Sequence, residues 1–133
     1  MIDIENEVFS TIATELRARF EQIYVTGEEV RSPSQFPTVS IVEADNYVYK
    51  HSQDSGDNEN HATVMYEINV YSNRKAQKKT ECKEIFGVID GFLSKLGFTR
   101  TMKQPVTMED STVYRLVGRY TAVVSKNQII YGR

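Results

Sequence analysis

The chain of 133 residues predicts an α+β fold: one domain, in the order helix, strand, strand, helix, strand, strand, with a mostly antiparallel sheet and both helices on one face. Three observations carry this reading. A helical stripe runs through the middle of the chain. Two stretches on either side of it alternate apolar and polar residues with period two. A third stretch, at the start, repeats the helical spacing.

The first element is a helix over Met1–Phe20. Val8, Phe9, Ile12, Ala13, Leu16 and Phe20 form its apolar face. Asp3 is placed to cap it, with Glu5 and Glu7 in the first turn and Arg17 and Arg19 near the end, where the helix dipole favours each sign. Ile23-Tyr24-Val25 either extends this helix or begins an extended piece, and Thr26-Gly27 stops it. Glu28 to Gln35 is polar and carries Pro33, with Pro37 close behind, so it reads as a loop feeding a strand.

Thr38 to Glu43 is a short β run, with Val39 and Ile41 on one face and Thr38, Ser40 and Val42 on the other. Residues 44–60 read as a long loop that includes Tyr47, Val48 and Tyr49 and the polar run HSQDSGDNEN. A connection of this length in a compact domain is either mobile or used. His61 to Tyr71 is the clearest strand: Val64, Tyr66, Ile68 and Val70 alternate with Met65, Glu67, Asn69 and Tyr71.

The central helix spans Arg74 to Leu96. Cys82, Ile85, Phe86, Ile89, Phe92, Leu93 and Leu96 line one side, Ser72 and Asn73 can cap the start, and Gly97 follows as a C′ glycine. Phe98 to Lys103 is a short strand, and Pro105 with the polar Glu109-Asp110-Ser111 makes a turn. Thr112 to Ser125 is a long strand. Gly118 in its middle marks a bulge or a close approach of the helix. The tail, 126–133, presents Ile129, Ile130 and Tyr131. It has no partner of its own unless it folds back as an edge strand.

Composition narrows the function. Hydrophobic content of 40% and charged content of 26% are those of a globular protein, and no apolar run reaches the ~20 residues of a membrane span. The N-terminal stretch lacks a signal-peptide pattern, so synthesis and retention in a cytoplasm, or packing into a particle assembled there, is expected. A single cysteine, Cys82, excludes an internal disulfide and a cysteine-based zinc site; on the helix stripe it reads as a small buried apolar residue. Phosphate-loop, nucleophile-elbow and HExxH signatures are missing, so no enzyme and no cofactor is expected. His51 and His61 bracket Asp54, Asp57 and Glu59, but this run does not match calcium-loop spacing and reads as a solvated loop, with no metal.

Charge is more informative. Glu43 to His61 holds five acids against Lys50 alone, and Arg74 to Lys83 holds five bases against Glu81 alone. Arg74, Lys75, Lys78 and Lys79 at a helix start oppose the dipole, so something outside the helix should favour them. The cluster is either a solvated basic face or a partner site, and the partner is then a nucleic-acid backbone or the acidic stretch around Asp54 and Asp57 of a neighbouring copy. The second fits head-to-tail assembly. A net charge of −2 argues against a general nucleic-acid binder. Tyr47, Tyr49, Ile129, Ile130 and Tyr131 add apolar material suited to an interface.

A leading helix, FPTVSIVEADNYVYKHS, NHATVMYEINVYSN, a Lys-rich helix ending SKLGF and the strand VYRLVGRYTAVVS follow one another along nearly the whole chain. This pattern resembles the tail-terminator and head–tail-joining proteins of long-tailed bacteriophages, also known as minor capsid or tail-completion proteins. The resemblance implies a structural virion subunit that forms a ring, a hexamer in that group, capping the tail tube and joining tail to head. Implied partners are further copies of the chain, the tail tube protein and head–tail connector proteins. Implied location is the virion, with assembly in the host cytoplasm. DNA would meet such a ring only in passing through it, and no catalytic residues are implied. Two alternatives stand beside it: a neighbouring head–tail connector component, and a nucleic-acid-binding module using the basic helix start.

Overall fold

The computed structural model describes residues 2–48 and 61–131. Helix α1 (Glu5–Arg19) leads into strands β1 (Tyr24–Thr26), β2 (Thr38–Val48) and β3 (His61–Ser72). Helix α2 (Lys78–Leu96) follows, then β4 (Thr99–Val106), β5 (Tyr114–Ser125) and β6 (Ile130–Tyr131). The result is an α+β single domain whose sheet runs β1-β2-β3-β5-β4, open at both sides. Every pairing is antiparallel except β1 with β2. Because β3 occupies one edge of β5 along its whole length, β6 continues the line of β4 on the other.

Alternation decides which side of the sheet is covered. Ala62, Val64, Tyr66, Ile68 and Val70 of β3 join Val39 and Ile41 of β2 and Leu116, Tyr120, Ala122 and Val124 of β5 in one buried cluster. Val8, Ile12, Ala13 and Leu16 of α1 and Cys82, Ile85, Phe86, Ile89 and Leu93 of α2 complete it, so both helices lie over this face. Gly118 lets α2 come close: a Cβ there would stand 2.4 Å from Phe86 Cζ. Of the two meanings of that glycine, the close helix approach holds, and the register of β5 against β3 is continuous through it.

Two readings left open, at Ile23-Tyr24-Val25 and in the tail, resolve to extended structure, and several other expectations change. Ile23-Tyr24-Val25 belongs to an extended piece, with Tyr24–Thr26 a short parallel strand beside β2. Strand β2 runs on to Val48, so the long loop does not begin at 44. A bulge between Glu43 and Asp45 inserts Ala44 and breaks the two-residue period that the sequence reading relied on. Helix α2 starts at Lys78, not Arg74; Gln77 is its N-cap and Ala76 sits at φ 66° in the turn before it. Ser72 is therefore no helix cap. It accepts the Arg74 amide at 3.2 Å and donates to Glu81 at 2.6 Å, fixing that turn. Asp3 likewise is not the N-cap of α1, which is Ile4, although its carboxylate accepts the Glu5 amide at 3.0 Å. Strand β4 extends to Val106 and takes in Pro105, which an edge strand tolerates. The tail folds back: Ile130 and Tyr131 pair with Val124 and Val123.

Candidate interaction surface

The far face of the sheet carries no helix. Its register can be read row by row. Thr38, Tyr71, Arg115 and Val106 align across β2, β3, β5 and β4, followed by Ser40, Asn69, Val117 and Gln104. Thr38, Ser40, Asn69 and Tyr71 of these rows are buried, and the loop between β1 and β2 ties down their end, where the Tyr71 hydroxyl donates to the Val30 carbonyl at 2.5 Å. Burial pushes the Tyr71 phenol up, and the Arg115 guanidinium 5.5 Å over its ring opposes that shift. Arg115 Nε also donates to Asn69 Oδ1 at 2.8 Å.

The next three rows are open. Val42, Glu67, Arg119 and Met102 form the first, with Arg119 and Glu67 paired at 3.1 Å. Asp45, Met65, Thr121 and Thr99 form the second. Tyr47, Thr63, Val123 and Tyr131 form the third, spanning β2, β3, β5 and β6. Tyr47 is 55% exposed and Tyr131 47% exposed, and the His61 ring meets Tyr131 at a tilt of 54° with centroids 5.7 Å apart. So the bulge and the folded tail put two tyrosines that are 84 positions apart in sequence on one row. Ile130 turns to the core side and packs against it, while Ile129 stays 51% exposed in the turn before β6. Tyr49, Asp54 and Asp57 lie outside the described residues.

The basic cluster sits elsewhere. It follows Ser72 at the opposite end of β3, roughly 30 Å from the Thr63 row at about 3.3 Å per residue. Two of its cations serve the fold. Arg74 lies 3.5 Å from Glu81, and Lys78 Nζ donates to the Ser111 carbonyl at 2.5 Å. The same turn holds Asp110, whose carboxyl is kept below the usual range chiefly by bonds from the Thr112 hydroxyl and amide, with Lys78 adding to the effect. Lys75 and Lys79 remain exposed. The unfavourable charge at the helix start is thus partly answered within the chain.

On the covered side, an open groove of about 320 Å³ lies on the outer surface of α2, with Arg19 at the end of α1 along its edge. Gly87, Val88, Gly91 and Phe92 form its floor and wall, with Arg19 and Lys95 over the Phe92 ring at 5.6 and 6.0 Å and Glu84 at its other end. The sequence reading passed over this groove; the visible signal was two glycines four apart on one helix. A second hollow, of about 300 Å³, holds Asp90, which accepts bonds from Tyr120 at 2.6 Å and Arg100 at 3.2 Å and so ties α2 to β4 and β5. Cys82 is buried, and desolvation pushes its thiol up to about 12. Among the described residues no group of three His, Cys, Asp or Glu is placed to hold a metal ion, and no helix is long and apolar enough to cross a membrane. No protein-family model matches the chain, and no curated protein matches it.

Proposed function

We propose that the chain is a structural subunit of a long-tailed phage virion that assembles head-to-tail into a ring, capping the tail tube and joining tail to head. The observation that supports assembly best is the open sheet face, with its Tyr47–Thr63–Val123–Tyr131 row spread over four strands. Exposed tyrosines on an uncovered sheet face suit an interaction site, because tyrosine buries area there at low entropic cost. The resemblance of the chain to tail-terminator and head–tail-joining proteins supplies the biological setting. A six-membered ring, the tail tube and connector partners, and a virion location rest on that resemblance.

Light scattering tests the assembly, over a wide concentration range and at low and high salt. Growth of the mass toward a closed multiple of 15.3 kDa is the expected result. A chain that stays monomeric at every concentration and also fails to bind purified tail tubes overturns the reading. A second test addresses charge. Lys75→Glu with Lys79→Glu is preferred to any change at Lys78, because Lys78 holds the Ser111 carbonyl. If the basic cluster meets the acidic stretch of a neighbour, the reversal lowers the assembled mass and Asp54→Lys with Asp57→Lys restores it.

A further inference from the structure

The segment that completes the edge of β5 is seated by few contacts. Strand β6 makes two ladder pairs, Ile130 with Val124 and Tyr131 with Val123. Ile130 packs against the core, while Tyr131 is half-exposed and meets the His61 ring. Ser125 extends the ladder by one step: its amide donates to the Ile129 carbonyl at 2.8 Å, and its hydroxyl accepts the Ile129 amide at 3.1 Å. The turn that brings the segment there is strained. Gln128 sits at φ 64°, a left-handed conformation that costs any residue with a Cβ. The side chain of Ile129 remains exposed beside it.

We infer that residues 129–131 form an exchangeable strand, which leaves its own β5 and pairs with Ser125, Val124 and Val123 of the next copy. This rests on the ring reading and names the contact that would link one copy to the next. The occupant already seated shows what the seat accepts, and a second copy carries the same residues. Both ladder pairs, the Ser125 bonds, the burial of Ile130 and the meeting of Tyr131 with His61 are therefore remade across the junction. Only the bonds of Gln128 itself are given up, from its amide to the Ser125 carbonyl and from Nε2 to the Asp3 carbonyl. Opening the turn releases Gln128 from its left-handed conformation, and short strained connections of this kind favour exchange. Extended, residues 126–128 span about 10 Å, so the copies meet at this end of the sheet. Passed on in one direction, the strand makes a heterologous contact, as a ring requires; returned to its donor it would close a dimer. Because the closed and exchanged states share most contacts, they differ little in free energy, and exchange is favoured at high concentration.

Cross-linking of two singly substituted chains tests the exchange. Val123→Cys and Tyr131→Cys lie on register partners, and the native Cys82 is buried. The two chains are mixed in urea, refolded together and treated with a short thiol-to-thiol reagent. The expected result is a linked dimer from the mixture and none from either chain refolded alone. Gln128→Gly in the Tyr131→Cys chain relaxes the closed turn and should lower the yield about 2–5-fold. Gln128→Pro there cannot take a positive φ and should raise it. No link in the mixture overturns the exchange. A yield that neither hinge change moves also overturns it, because the link then reports two sheet faces meeting. Placing both cysteines in one chain and linking them within the monomer ties β6 to its own β5. That locked chain should stay monomeric at concentrations where the unlinked chain assembles. If it still closes on a ring-sized multiple, the exchange fails and the ring stands. If the mixture links but the mass stops at two copies or grows without closing, the exchange holds and the ring fails.

Discussion

Replacing Gly118 by alanine puts a methyl carbon 2.4 Å from Cζ and 2.7 Å from Cε2 of Phe86. The ring has little freedom to retreat. It is 1% exposed, packs against Tyr120 with centroids 6.3 Å apart and carries the Lys103 ammonium 5.3 Å above it. The clash must therefore be met by moving α2 or by driving Phe86 off its rotamer. Such overpacking costs about 1–3 kcal/mol. Alanine recovers about 0.5–1 kcal/mol of the entropy that a strand glycine forfeits. The expected net loss is about 1–2 kcal/mol, a fall in melting temperature of about 4 °C per kcal/mol. In urea unfolding the midpoint should drop by roughly 0.5–1 M at constant slope. Phe86→Leu alone should also destabilise, by leaving a cavity. Combined with Gly118→Ala it should cost less than the sum, because the smaller side chain vacates the space the methyl needs. An alanine variant as stable as the native chain, or fully additive with Phe86→Leu, would refute the close-approach account of Gly118.

Tyr71→Phe removes the bond that pins the loop before β2, and should cost about 1 kcal/mol and speed proteolytic cleavage within residues 27–37; unchanged cleavage would mean the loop is held by other contacts. Glu43 accepts a bond from Tyr66 at 3.1 Å but is desolvated by burial, with Glu5 and Asp3 nearby, and its carboxyl is raised above the ordinary value. Between the ordinary and the raised value the folded chain holds more protons than the unfolded one, so this group's contribution to stability falls as pH rises through that window. Glu43→Gln keeps an acceptor for Tyr66 and should flatten that part of the pH profile and stabilise the chain at neutral pH, as read from urea midpoints across about pH 4–8. Gly87→Ala with Gly91→Ala should stabilise the chain by about 1–2 kcal/mol, read as a rise in melting temperature, because a methyl at either position meets nothing and restores helix propensity; an unchanged melting temperature would refute this.

The strongest periodic signals were readable in the sequence because each element declares its own buried side. The stripe Cys82, Ile85, Phe86, Ile89 and Leu93 is the buried face of α2, and Gly97 at φ 103° closes it. The alternation in His61–Tyr71 assigns Val64, Tyr66, Ile68 and Val70 to the core. Spacing of this kind is local, so a single chain segment suffices to reveal it. Where the local pattern breaks, at the Ala44 bulge, the strand continued unseen. The residues of the candidate surface were visible singly, as Tyr47, Ile129, Ile130 and Tyr131, but not as a surface. Only pairing across strands makes Tyr47 and Tyr131 members of one row, turns Ile130 inward and sends the basic cluster to the other end of the sheet. It also decided that Arg74 and Lys78 face partners within the chain, and that two helical glycines floor an open groove. Periodicity tells a residue which side of its own element it occupies; what stands opposite depends on register and packing between segments far apart in the chain, and no local spacing encodes that.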